Sequence, residues 1–212
     1  MKLEMSEDTI KSLNEKIGNE IKNKLKEKYQ QEFEIKALGR RFGTAENNSV
    51  TTYCYPKENE ELLFTIIMDI KGKIRQDTYN IRKVCYFLEK QIENLFKEKN
   101  INSYCSSHIY GIIQEIEGKT EEEILQKEEI TFFTNVIIKE NIQDEDIIEV
   151  YNTILEKYRN IKIHSNIYII QNDEIYSKCK EQMYSVPYVL KYMFDKYQID
   201  RKIKIEEGKI KI

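Results

Sequence analysis

The sequence predicts an α+β fold: a helix, a three-stranded antiparallel meander and a second helix over residues 1–100, then a second α+β unit with a βαβ-like core over residues 101–212, packed against the first. Three observations predict it. Two long segments with apolar residues at helical spacing bracket a block of β-rich runs. Beyond about residue 100 the order changes to strands alternating with helices. Finally, 212 residues, 40% of them hydrophobic, supply core for one large domain or two small ones.

The elements follow in order. Ser6 is placed to cap the first helix, with Glu7 and Asp8 where the positive end of the helix dipole favours acids. Ile10, Leu13, Ile17, Ile21 and Leu25 form one narrow stripe, and Lys24, Lys26 and Lys28 suit the C-terminal end. Strand-like runs follow at Phe33 to Ala37, Val50 to Tyr55 and Leu62 to Ile70. The last is almost wholly apolar and is therefore expected inside its sheet. Turn-like breaks lie at Gly43 to Ser49 and Pro56 to Glu61, and Lys71-Gly72-Lys73 ends the third run. From Asp77 to Lys99, Ile81, Val84, Cys85, Leu88, Ile92, Leu95 and Phe96 share a helical face, which is expected to lie across the meander.

In the second half, Tyr104 to Ile116 reads as a long strand, and Thr120-Glu121-Glu122-Glu123 as a capping box opening a short helix. Ile130 to Ile138 and Ile161 to Ile170 read as strands on either side of a helix from Asp144 to Tyr158. That order is a βαβ unit. Asp173 to Cys179 and Val186 to Tyr197 read as helices divided near Pro187, and Ile203 to Ile212 as a closing strand or hairpin.

Composition narrows the function. The formal charge of −3, with Lys and Glu interspersed, carries no basic footprint for nucleic acid. No apolar run is long enough to span a membrane and the N-terminus has no signal-peptide character, so a soluble, cytoplasmic protein is expected, or an extracytoplasmic one if an export signal has been removed. Seven glycines and two prolines leave little material for phosphate-cradling loops. Cys54, Cys85, Cys105 and Cys179 show no metal-ligand spacing and read as buried free thiols. Neither a metal nor a cofactor is expected.

Lys26 to Ile35, Arg40-Arg41-Phe42-Gly43-Thr44 and Tyr53-Cys54-Tyr55-Pro56-Lys57 resemble the opening third of uncharacterised proteins from low-GC Gram-positive bacteria. The resemblance implies a helix-plus-meander fold and no known activity; some of those proteins sit behind a lipoprotein or membrane anchor.

Few residues invite chemistry. His108 and His164 lie on expected strands and would form a metal or Cys–His site only if the fold joined them with Cys105. There is no HExxH, GxSxG or P-loop. Arg40 and Arg41 stand between Gly39 and Gly43, and guanidinium forks suit carboxylates or phosphates. Adjacent strand residues face opposite ways, however, so one ligand would meet one arginine. The acidic clusters at 121–123 and 144–146 sit where helix N-termini need them. The abundant tyrosines either line a contact surface or frame the core edge.

Arg40, Arg41, Tyr53 and Tyr55 are therefore the candidate ligand or partner surface. The expected function is non-catalytic: an interaction protein of bacterial origin, of an immunity, adaptor or chaperone-like kind, its partner another protein. The alternatives are a small-ligand-binding domain or the extracytoplasmic domain of a lipoprotein-like protein.

Overall fold

A computed structural model describes residues 7–42, 49–69, 71–109, 118–139, 142–183, 201–206 and 209–211. The chain is α+β and divides into two compact units, Met1–Tyr79 and Asn80–Ile212.

In the first unit, helix α1 (Glu7–Tyr29) precedes a four-stranded antiparallel sheet of β1 (Phe33–Phe42), β2 (Ser49–Pro56), β3 (Phe64–Asp69) and β4 (Ile74–Asp77), ordered β1-β2-β3-β4. The helix buries Ile21 and Leu25 completely. Its end is set by Gln30, whose φ of 55° is left-handed and whose amide returns to the Lys26 carbonyl at 2.9 Å. Gly18 lets helix and sheet approach closely, since a Cβ there would stand 3.0 Å from Ile35 Cδ1.

On the sheet, Val50, Thr52, Cys54, Phe64, Ile66 and Met68 are buried on one face, alternating with half-buried residues on the other. Tyr29, Phe33, Phe64 and Tyr79 close the end of this core, with ring centroids 4.6 Å apart for Tyr29–Tyr79 and 5.2 Å for Phe33–Tyr79.

The interior strand expected at Leu62 to Ile70 is β3, and the sheet gains a fourth strand. Its sequence, Ile-Arg-Gln-Asp, has one apolar residue and no alternation to reveal it. The turn before it makes the strand: Gly72 takes φ 78°, and the Asp69 carboxylate accepts from Lys71 N and Lys73 N, each at 2.9 Å, and from Arg75 Nε at 2.8 Å. Those donors hold the Asp69 carboxyl below its usual range, the Lys73 amide foremost.

The second unit comprises α2 (Tyr79–Glu98, its first residue counted with the first unit), β5 (Ser103–Ile109), α3 (Glu121–Lys127), β6 (Ile130–Ile138), α4 (Asp144–Lys157), β7 (Ile161–Ile169), α5 (Asp173–Met183), β8 (Arg201–Glu206) and β9 (Lys209–Lys211). Its sheet runs β5-β6-β7-β8-β9, with β6 and β7 parallel and the other neighbours antiparallel. The expected βαβ unit is β6-α4-β7, and the tail is the hairpin β8-β9.

One expectation needs correcting. The stripe from Asp77 to Lys99 predicts a helix lying across the meander, with the boundary near Asn100. It is α2, and Val84, Cys85, Leu88, Ile92 and Phe96 are buried in one cluster with Phe132, Val136, Ile147, Tyr151, Ile163 and Ile167 of the second unit. An apolar stripe specifies that a helix needs a sheet and leaves open which one; the boundary falls at Tyr79/Asn80. Thr120 and Glu123 form the expected capping box. The strand expected to reach Ile116 is seen to Ile109; residues 110–117, the expected helix Val186 to Tyr197 and the cap at Ser6 lie outside the described residues.

The faces of the second sheet differ. One carries Phe132, Thr134, Val136 and Ile138 of β6 with Ile163, Ser165, Ile167 and Ile169 of β7 into the main core. On the other, Ile137 and Tyr168 join Ile170, Tyr176 and Cys179 in a smaller cluster contributed partly by α5. Alternation therefore gives way to continuous burial at the C-terminal ends of β6 and β7.

Candidate functional site

Tyr53 and Tyr55 come together on β2 and point away from the buried face of the first sheet. Pairing places Tyr53 opposite Ala37 on one side and Thr65 on the other, Tyr55 opposite Glu34, and Thr51 opposite Ile67. Residues opposite one another share a sheet face. Thr51, Tyr53, Tyr55, Thr65 and Ile67 thus form one half-buried surface of hydroxyls, phenol rings and an aliphatic side chain. Burial, then Glu60 and Glu34, raises the Tyr55 phenol above its ordinary pKa, so it stays a neutral hydrogen-bonding group.

Arg40 and Arg41 lie on β1 beside a register shift between Leu38 and Arg41, after which Arg41 pairs with Val50. Tyr53 and Tyr55 therefore share a face by simple alternation, whereas the arginines sit at an irregularity of an edge strand. Their side chains lie outside the described residues.

The histidines do not meet. His108 of β5 and His164 of β7 are both paired with Phe133 of β6, which stands between them. The rings stack side by side, with centroids 5.6 Å apart for His108–Phe133 and 5.1 Å for Phe133–His164, and interplanar angles of 22° and 17°. These separations follow the ~4.8 Å strand spacing, so the rings stand upright on the sheet and offer edges outward. A flat stacking platform for bases needs exposed ring faces, and here Phe133 spends both of its faces on the histidines. Partial burial holds the His108 imidazole below its ordinary pKa. Glu206 continues the row opposite His164, and Asn166 donates to Asn135 at 3.3 Å in the adjoining row. Cys105 lies on the other face of β5, among the buried residues of the main core.

All four cysteines are buried free thiols. Desolvation pushes Cys54 and Cys85 up to about 12 and raises Cys105 and Cys179. Protonated thiols are poor nucleophiles and poor metal ligands. Among the described residues, no group of three or more His, Cys, Asp or Glu is disposed to hold a metal ion.

The acidic clusters occupy the first turns of α3 and α4, where Glu123 caps and Lys83 reaches Glu121 at 2.6 Å. Of the tyrosines, Tyr151 and Tyr158 are wholly buried, and Tyr151 shares a hydroxyl network with Ser165 (2.5 Å) and, through it, Thr134 (2.7 Å).

Sequence reasoning missed the carboxylates of α2. Glu89 is 1% exposed. A signal existed: Glu89 and Glu93 adjoin Leu88 and Ile92 and fall four and eight residues after Cys85, within the apolar stripe itself.

No family model and no curated protein matches the chain. Among solved structures it is similar to the crystal structure of a DUF5037 family protein from Ruminococcus gnavus, with a TM-score of 0.65 and 13% identity over 92% of this chain and 94% of that one. The likeness is one of fold. Among the described residues no helix is long and apolar enough to cross a membrane.

Proposed function

We propose that this chain is a non-catalytic interaction protein of bacterial type, an immunity, adaptor or chaperone-like protein, and that the open face of its first sheet is the contact surface. One observation carries the reading: Thr51, Tyr53, Tyr55, Thr65 and Ile67 form a contiguous half-buried patch on the face opposite the buried one. Tyrosine suits such a role because it offers a large apolar ring with few rotatable bonds and a hydroxyl tolerant of water. The reactive groups elsewhere support the same reading: the thiols are protonated and buried, and Phe133 separates the histidines.

The test is affinity capture from the native organism with the wild-type chain and with Tyr53→Ala/Ile67→Asp. The expected result is a specific protein recovered by the wild type and depleted at least tenfold with the variant, while both fold alike by circular dichroism. Recovery undiminished by the variant, or no specific partner in replicate captures, would overturn the proposal.

A further inference from the structure

Among the described residues, β5 ends the second sheet with one strand neighbour, β6. Every second amide of such a strand points outward and offers itself to any extended chain. Here two of those amides, at Cys105 and Ser107, are occupied by side chains of α2. Cys105 N donates to Glu93 Oε1 at 2.8 Å, and Ser107 N donates to Glu89 Oε1 at 2.5 Å. The Ser107 hydroxyl lies 3.0 Å from the same oxygen and 3.1 Å from the Cys85 carbonyl.

Each carboxylate is itself held. Arg82 grips Glu89 through two N–H···O bonds of 2.9 Å, and Lys90 reaches Glu93 at 2.8 Å. The geometry repeats for a simple reason. Four residues of helix advance ~6 Å and two residues of strand ~6.7 Å, so glutamates at i and i+4 meet amides at j and j−2 of a strand running antiparallel to the helix.

We infer that α2 closes the β5 edge, with Glu89 and Glu93 supplying the acceptors that the carbonyls of a further strand would otherwise offer, and that removing these carboxylates turns β5 into a pairing edge for a second copy of this chain. Leu88, Ile92 and Phe96 anchor the helix in the core, so the carboxylates are fixed in position beside the strand. A mobile surface glutamate would compete poorly with water for the same amides.

Amide hydrogen exchange on the full-length protein, with sedimentation velocity over a concentration series, tests the inference. In the wild type, Cys105 and Ser107 amides should be protected like those of Val136 and Ile167 in interior strands. Glu93→Ala should speed exchange at Cys105 by roughly ten- to hundredfold, the value of a hydrogen bond to a charged acceptor, and leave Val136 and Ile167 unchanged. Glu93→Gln keeps a carbonyl acceptor and should retain most of the protection. Arg82→Leu/Glu89→Leu removes both charges together and should expose Ser107; combined with Glu93→Ala it should sediment as a concentration-dependent dimer. If the Arg82/Glu89 variant unfolds, the Glu93 pair alone decides. Rapid exchange at Cys105 and Ser107 in the wild type, equal protection in Glu93→Ala and Glu93→Gln, or a folded triple variant that stays monomeric would each overturn the inference.

Discussion

At the scale of single residues, burial decides which chemical groups act. Leu88 is wholly buried in the second unit's core. Leu88→Ala should cost about 2–5 kcal/mol, read as a lowered urea midpoint; an unchanged midpoint would contradict the core assignment. The thiols make a second prediction. With all four buried and protonated, a thiol reagent at pH 8 should label the native protein slowly and all four positions rapidly in denaturant. The histidines make a third. Partial burial lowers the His108 pKa, so the unfolded chain binds a proton more readily than the folded one. The stability His108 contributes is therefore complete above about pH 6.5 and is lost as pH falls from there to its folded value. His108→Gln should flatten that part of the urea-midpoint profile between pH 7.5 and 5.5, and an unaltered profile would contradict it.

At the scale of elements, periodicity carried most of the fold. Both long helices, the interior strand β3, the capping box at Thr120 and the βαβ unit were legible because each repeats apolar residues at its own spacing or uses a specific cap. β4 was illegible because a short edge strand needs little apolar material, and its position comes from the preceding turn. The same turn yields a prediction. At Gly72 a side chain would adopt φ 78° and drive its Cβ into the Glu20 carboxylate. Gly72→Ala should cost about 1–2 kcal/mol of the backbone conformation alone, measurable by thermal denaturation. At the candidate site, Tyr53 and Tyr55 were legible as a pair through simple alternation. The α2 carboxylates were not, because a glutamate inside an apolar stripe shows its purpose only once the strand beside it is known.

For the molecule as a whole, the consequential correction concerns which sheet α2 serves. A boundary near Asn100 would strip Val84, Cys85, Leu88, Ile92 and Phe96 from the second core. A fragment of residues 80–212 should therefore show cooperative unfolding by circular dichroism, and a fragment of residues 101–212 should not. Equal cooperativity in the two fragments would mean that α2 is dispensable to that core. Each sheet also blunts its edges: β1 is interrupted by register shifts, β4 and β9 are short, and β5 meets the carboxylates of α2.

The order of the strands has a consequence for how the protein is born. In both sheets the spatial order is the chain order, β1 to β4 and then β5 to β9. Once β1 and β5 have emerged from the ribosome, every later strand of each sheet finds the neighbour it pairs with already translated. The parallel connection from β6 to β7 is bridged by an element that forms locally, α4. Only neighbour-to-neighbour loops must close, which keeps the entropic barrier to each addition low and lets assembly follow translation from the first strand to the last.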